Sequence, residues 1–363
     1  MSSSLQKSWQ DLGIDFQKTP TKSSLSEARS KVCHSFFRDI YEADLLRLSE
    51  DRKTYRGFYI YAVDGDDLNL PCSPQILAEG YHGWCFNKSF ETYYPKMYTV
   101  YAYDVINGLV SGFRQSQRSE EFYSAINLIP SFEKNSIAIY DRLYGSYPVM
   151  SAHAMSGSYF LIRLKKSVDV VKCGSLDHEV DWKNSQNKKD VAVRVRVVKM
   201  YNTKTKEMMF FATNLAKEVF SRKEIVKLYQ KRWEIETSLR DLTHTMKIEQ
   251  WHSQTINGIL QEIYALLWLM NNVKMQIRSD GEEADFLDNK KYYKSNFKLC
   301  MKIVIENISL LVVKKYDELK ELLGFWVERS KEKRCQRSRS YPRIIKNRPT
   351  KYTVRSKIRR RVP

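Results

Sequence analysis

The 363-residue sequence contains no run of about eighteen uncharged apolar residues, which argues against a membrane span. Its most apolar run, Ile263 to Met270, directly follows Glu262 and reads as a buried helix. The opening segment MSSSLQKSWQDLG lacks the apolar centre of a signal peptide, so a cytoplasmic protein is expected. Six cysteines (Cys33, Cys72, Cys85, Cys173, Cys300, Cys335) are scattered singly, with no CxxC pair. The six histidines show neither zinc-finger nor HExxH spacing. Reduced thiols are therefore expected, without a disulfide framework or a zinc site. No internal repeat is visible. What is present, 42% hydrophobic residues and 13% aromatics, excludes disorder along the whole length.

Acids are almost absent from one stretch. Residues 329 to 363 hold fifteen Lys or Arg and one acid, Glu332, a net +14. Only five of the nineteen net positive charges are left for the other 328 residues. Tyr341, Pro342, Pro349 and Tyr352 are interleaved with these charges. Such a tail neutralises phosphates and releases counterions without reading sequence, which points to nucleic acid. The plainer account is a solvated basic tail, and charge alone does not indicate an enzyme.

The first fifty residues read as helical and carry seven acids against seven bases. Ser24 and Glu27 have capping-box spacing, and Leu25, Ala28, Val32, Phe36 and Ile40 would share one face. Gly57 to Gly65 (GFYIYAVDG) reads as a buried strand ending at Asp64 and Gly65. Lys96 to Arg114 reads as a hairpin turning at Asn107-Gly108, a dipeptide suited to positive φ. A helix over Ser119 to Ile129 and a strand over Asn135 to Tyr140, running into Asp141, complete a mixed α/β core. From Gly157 to Thr213 the pattern is β-rich. Val191, Val193, Val195 and Val197 alternate with Arg194 and Arg196, MMFFAT follows as a second strand, and Asp177 to Asp190 reads as loop. Ser221 and Glu224 cap a long helix with Ile225, Leu228, Ile235, Leu239, Leu242 and Met246 as its core stripe. Another helix spans about Ile259 to Met275, and Phe297 to Leu323 suggests one or two more.

Asp64 and Asp141 each end a strand, where a chain leaves a sheet and a ligand can approach. Aspartates also end strands simply as turn-formers, and Asp66 and Asp67 are equal alternatives to the first. On the long helix, Tyr229, Arg232, Glu236 and Thr243 fall within an arc of about 60° and span about 21 Å. A helix face with an Arg232–Glu236 ion pair would have the same spacing.

VDGDDLNLP around Asp64, IYDRLYGS around Asp141 and YQKRWEIETSLRDLTHTMKIEQWHS from Tyr229 resemble the three motif blocks of insertion-sequence transposases of the IS-four group. TPTKSSLSEARSKV resembles that group's opening segment, so the similarity covers most of the chain. The resemblance implies an α/β fold: a ribonuclease H-like mixed-sheet catalytic core with a β-rich insertion, plus N-terminal and C-terminal helical regions. The corresponding division is a helical module (1–52), the first part of the core (53–150), the insertion (151–215), the second part of the core (216–275), a C-terminal helical region (276–328) and the basic tail (329–363). It implies a DDE triad of Asp64, Asp141 and Glu236 holding two Mg2+ ions, replaceable by Mn2+. Tyr229 and Arg232 would hold the transposon end, and Trp182, in the insertion's loop, is the candidate to stack on a flipped base, an ordinary partly exposed Trp being the plainer account. Trp233 is expected to pack into the core.

The implied activity is cut-and-paste DNA transposition: strand cleavage at terminal inverted repeats and strand transfer into target DNA, by a homodimer on DNA and without a membrane. Phosphodiester transfer needs an activated hydroxyl and a stabilised leaving oxygen, which two divalent ions can supply. Magnesium prefers oxygen ligands, and clustered carboxylates need a cation. Two positions depart from the family pattern. Thr243 stands where that group's Tyr-Arg-Glu-Lys signature, matched here by Tyr229, Arg232 and Glu236, has Lys, and Leu143 where the group usually has Gly. Lys247, eighteen residues past Tyr229, would return to the same helix face and supply the missing charge. A catalytically impaired or repurposed DNA-binding descendant is the alternative, and a general nuclease of the same fold a third reading. The three carboxylates favour the active enzyme, since a binder has no need of them.

Overall fold

A computed structural model describes residues 21–50, 52–81, 95–168, 174–184, 187, 189–202, 206–277, 287, 293–330 and 332–333. The basic tail beyond residue 333, with its tyrosines and prolines, lies outside them, as do Cys85, Cys173 and Cys335. Among the described residues, Cys33, Cys72 and Cys300 are free thiols, and no helix is long and apolar enough to cross a membrane.

Eight strands form one sheet: β1 (Tyr59–Asn69), β2 (Lys96–Asp104), β3 (Leu109–Ser116), β4 (Ser136–Tyr140), β5 (Tyr159–Leu164), β6 (Asp177–Trp182), β7 (Val193–Asn202) and β8 (Glu207–Thr213). Their order is β3-β2-β1-β4-β5-β8-β7-β6. β2 runs antiparallel to both β1 and β3, β4 and β5 run parallel to β1, and the remaining pairs are antiparallel. This is the mixed-sheet α/β core expected, with the β-rich segment continuing the same sheet past β5.

The chain-order helices are α1 (Lys22–Lys31), α2 (His34–Ser49), α3 (Pro74–Ala78), α4 (Glu121–Ile126), α5 (Tyr147–Ser156), α6 (Arg222–Gln230), α7 (Trp233–Arg240), α8 (Ile256–Gln276), α9 (Phe297–Glu306), α10 (Ile308–Val312) and α11 (Tyr316–Arg329). Strand alternation divides the core. Tyr61, Val63, Val100, Ala138 and Tyr140 join Ala125, Val149 and Met150 of α4 and α5 on one face. On the other, Ala62, Tyr101 and Val110 meet Ile259, Ile263 and Leu267 of α8, while Ile60, Ile139 and Phe211 meet Ile225 and Leu228 of α6. Each fully buried Ile or Leu contributes about 1.5–3 kcal/mol. Phe297, Val304, Leu319 and Leu323 of the C-terminal helices are buried in the same core as α8.

Several local expectations change. The first helix is capped by Thr21, whose hydroxyl accepts from the Ser24 N–H, rather than by Ser24, and the chain breaks at Val32–Cys33 into two helices. The Asn107-Gly108 hairpin forms, yet only Gly108 takes positive φ. Asn107 instead uses its side chain, donating to Asp104 and the Lys53 carbonyl. The helix expected over Ser119 to Ile129 shortens to α4 and a 3-10 turn, Ile129–Ser131. Asp177 to Trp182 is a strand, not loop. Its acids at an edge discourage pairing with another chain, and they hid it from a search for apolar alternation. Val191 precedes β7 and is exposed. Arg196 is buried, pairing with Asp177 and donating to the Phe220 carbonyl, so it anchors the approach to α6.

Candidate active site

The pairing of β1 with β4 runs from Tyr59↔Ser136 to Ala62↔Ile139 and stops. Asp64 and Asp141 lie two residues further along each strand, and are thus level with one another. β4 ends there, whereas β1 continues to Asn69 on its ladder with β2, contrary to the expected end at Asp64. The two aspartates therefore face the opening between diverging parallel strands, where α/β sheets place their ligands. Asp141 also begins a 3-10 turn (Arg142–Tyr144), its Oδ1 accepting the Leu143 N–H at 2.6 Å. Leu143 thus fits the turn without glycine.

The third acid arrives on a broken helix. The capping box of Ser221 and Glu224 starts α6 as expected. At its end the Lys231 and Arg232 amides bond three residues back, to Leu228 and Tyr229, instead of four. This tightening separates α6 from α7, a local change that often marks a functional position. Arg232 leaves the break with Nη1 3.0 Å from Asp64 Oδ2 and Nη2 3.0 Å from Glu236 Oε1. Both the ion pair across the sheet and the i,i+4 pair on the helix are therefore present. Tyr229 is buried against Phe211 and lies near Arg232 and Asp141. Burial, then Asp141, pushes its hydroxyl up, so it stays a donor.

Burial pushes the Asp64 carboxyl up to about 6, with Asp141 and Glu121 adding to the rise and Arg232 opposing it. Glu121 was not singled out in the sequence. Its carboxylate accepts from the Tyr144 hydroxyl and lies against Gly65. The one available signal was the glycine itself, since Gly inside a strand often marks a close approach.

The other expected site residues stand apart from this group. Beyond α7 the chain winds into a π-helical turn, Asp241–Thr245, so a single continuous helix is not formed. Thr243 donates back to the Leu239 carbonyl at 3.0 Å. Lys247 lies past the turn, exposed and at φ 55°, so the helical angle that put it on the Tyr229 face does not apply. Trp182 is on edge strand β6 rather than in a loop, and packs partly buried against the α4–α5 face of the sheet. Trp233 is 49% exposed, not core, with the Arg232 guanidinium 5.0 Å from its ring.

The profile of the family described as transposase DDE domain matches residues 55–272, more than half of the sequence. The chain belongs to the transposase DDE domain family. The matched span holds all three carboxylates, Tyr229 and Arg232. The chain is also 22% identical over 361 residues to transposase InsG for insertion sequence element IS4 of Escherichia coli (strain K12), covering 92% of this chain and 78% of that protein. A piggyBac transposase synaptic complex with hairpin DNA is similar with a TM-score of 0.41 at 10% identity, over 80% of this chain and 62% of that one. The chain thus spans less than two thirds of that structure's chain.

The donor set of this DDE domain suits a divalent cation: hard carboxylate oxygens, with burial first and the neighbouring carboxylates after it raising the Asp64 carboxyl. Among the described residues no three His, Cys, Asp or Glu are arranged to hold a metal as they stand. Arg232 accounts for part of that, since its guanidinium bridges Asp64 and Glu236.

Proposed function

We propose that this protein is a DNA transposase, cutting at the terminal inverted repeats of its element and joining the ends to target DNA. The observation that carries the reading is Arg232, which gathers Asp64 and Glu236 beside Asp141 in the gap between β1 and β4. Asp64, Asp141 and Glu236 would hold two Mg2+ ions, with Mn2+ able to substitute. When bound, these ions activate the attacking hydroxyl and stabilise the leaving 3′-oxygen. Asp64 is held on a continuous strand ladder, Asp141 on a short capped turn and Glu236 on α7, so all three carboxylates sit on ordered backbone. Arg232, released from its carboxylates, has the planar fork that grips a phosphate bidentately. Tyr229, buried beside Arg232, keeps its proton for a hydrogen bond.

Thr243, Lys247 and Trp182 are proposed as outer DNA contacts, Trp182 by stacking on a base. DNA is the partner, and synapsis of two ends calls for a homodimer. The basic tail would add salt-dependent affinity without sequence preference. Cytoplasmic residence with access to the chromosome follows from this activity.

The test is nicking of DNA that carries the element's own terminal repeats, with and without Mg2+, using Asp64→Asn as control. Metal-dependent nicking lost in the variant supports the reading. Nicking that survives in Asp64→Asn overturns the metal assignment, and end binding without nicking in either protein favours a repurposed DNA-binding descendant.

A further inference from the structure

Gly65 follows Asp64 on β1, so its Cα faces the opposite side of the sheet, the side on which α4 packs. The space beside it is filled. A Cβ placed there would lie 2.5 Å from Glu121 Cδ and 2.7 Å from its Cγ and Oε1. Glu121 is the first residue of α4, and its carboxylate takes the volume that a side chain at position 65 would need. Gly65 is not among the positive-φ glycines, so what it supplies is room rather than backbone freedom.

Tyr144 also holds the carboxylate, its hydroxyl donating to Oε1. Tyr144 is fully buried and closes the turn that begins directly after Asp141. A single side chain thereby touches both the strand carrying the first aspartate and the turn carrying the second. A tie made only for folding would be cheaper without charge, because a third carboxylate beside two others repels them. A cation held by Asp64 and Asp141 would offset that repulsion.

We propose that Glu121 is a positioning residue, a strut between β1 at Gly65 and the Asp141–Tyr144 turn that sets the spacing of the Asp64 and Asp141 carboxylates. The inference rests on Asp64 and Asp141 being cation ligands. It is tested on the full-length chain by Mn2+ binding without DNA, followed by the paramagnetic signal of the free ion, and by nicking across a range of metal concentrations. Glu121→Ala removes the strut and Tyr144→Phe removes its anchor. Gly65→Ala displaces it, since the clash is with the far end of a flexible side chain that can swing away while the fold survives.

Each variant is expected to weaken Mn2+ binding at least tenfold and to raise the metal needed for half-maximal nicking by a similar factor. Glu121→Gln, which still accepts from Tyr144, should lose less than Glu121→Ala. The Glu121→Ala/Tyr144→Phe double variant should be no worse than the more impaired single variant. Tyr123→Phe, exposed on the same helix, serves as the control. Folded Gly65→Ala and Tyr144→Phe proteins with unchanged Mn2+ binding and metal dependence overturn the strut. Asp64→Asn separates the two levels: if it too binds Mn2+ and nicks normally, the reading of the site fails, whereas its loss alone leaves that reading standing without the strut.

Discussion

Arg232 reaches Asp64 across 168 residues of sequence and bonds it at 3.0 Å, the same distance at which it bonds Glu236 on its own helix. One cation thus occupies the place between two carboxylates proposed to hold metal. Arg232→Ala is expected to bind Mn2+ several-fold more tightly than the unaltered chain when DNA is absent, because that competitor is gone. The same variant should bind terminal-repeat DNA more weakly and unfold at lower denaturant, by about 1–3 kcal/mol for a partly exposed pair. Titration calorimetry and urea unfolding measure these. Unchanged Mn2+ affinity would mean that the guanidinium does not guard the site.

Thr243 spends its hydroxyl on the Leu239 carbonyl and brings no charge to the helix face. Thr243→Lys restores the signature's cation. The expected result is tighter binding of terminal-repeat DNA and a salt dependence steeper by about one unit of log K against log salt. An unaltered slope in a binding series from low to moderate salt would place position 243 away from the phosphates.

His153 is fully buried, with Nε2 2.8 Å from the Tyr140 hydroxyl and Nδ1 2.7 Å from Ser158 Oγ. Burial pushes its imidazole down to about 3, against an ordinary value of 6.5. Between those values the unfolded chain binds a proton that the folded chain refuses, so stability falls as pH drops below about 6.5. The full effect is on the order of 5 kcal/mol. Unfolding curves at pH 7 and pH 4.5 should differ less for His153→Gln than for the unaltered protein. An equal difference in both would assign the acid sensitivity elsewhere.

Gly258 lies in the first turn of α8, where Ala normally stabilises a helix by about 1 kcal/mol over Gly. A Cβ there would come 2.1 Å from Ser253 Oγ and 2.6 Å from Ser253 Cβ. Gly258→Ala should therefore destabilise, by about 1–3 kcal/mol. Adding Ser253→Gly should recover most of the loss in the urea midpoint. A stabilised Gly258→Ala would show that the Ser253 loop yields freely.

The sequence exposed those parts of the fold that obey a period. Apolar runs located β1, β4 and the β2–β3 hairpin, and the capping box of Ser221 and Glu224 located α6. Charged β6 escaped, because an edge strand need not alternate apolar residues. The helix break at Lys231–Arg232 contains neither Pro nor Gly, so a continuous 3.6-residue period ran straight through it and carried Lys247 to the wrong place. Asp64 and Asp141 stood out only as strand-ending acids and Glu236 only by its helix spacing; it was the resemblance that joined them into the site proposed above. Glu121 was not legible, since its role depends on a contact with a glycine 56 positions earlier that only the packed sheet creates.

β1 outruns its parallel neighbour and keeps its bonds to β2 past Asp64. The backbone bearing that carboxylate is therefore fixed by main-chain bonds that no side-chain change removes. Under the reading proposed here, a copy of the gene that loses only Asp64 would yield an intact protein still able to occupy the element's ends. Decayed copies would then act as competitors that restrain the active ones, making the element's own mutational debris a brake on its spread.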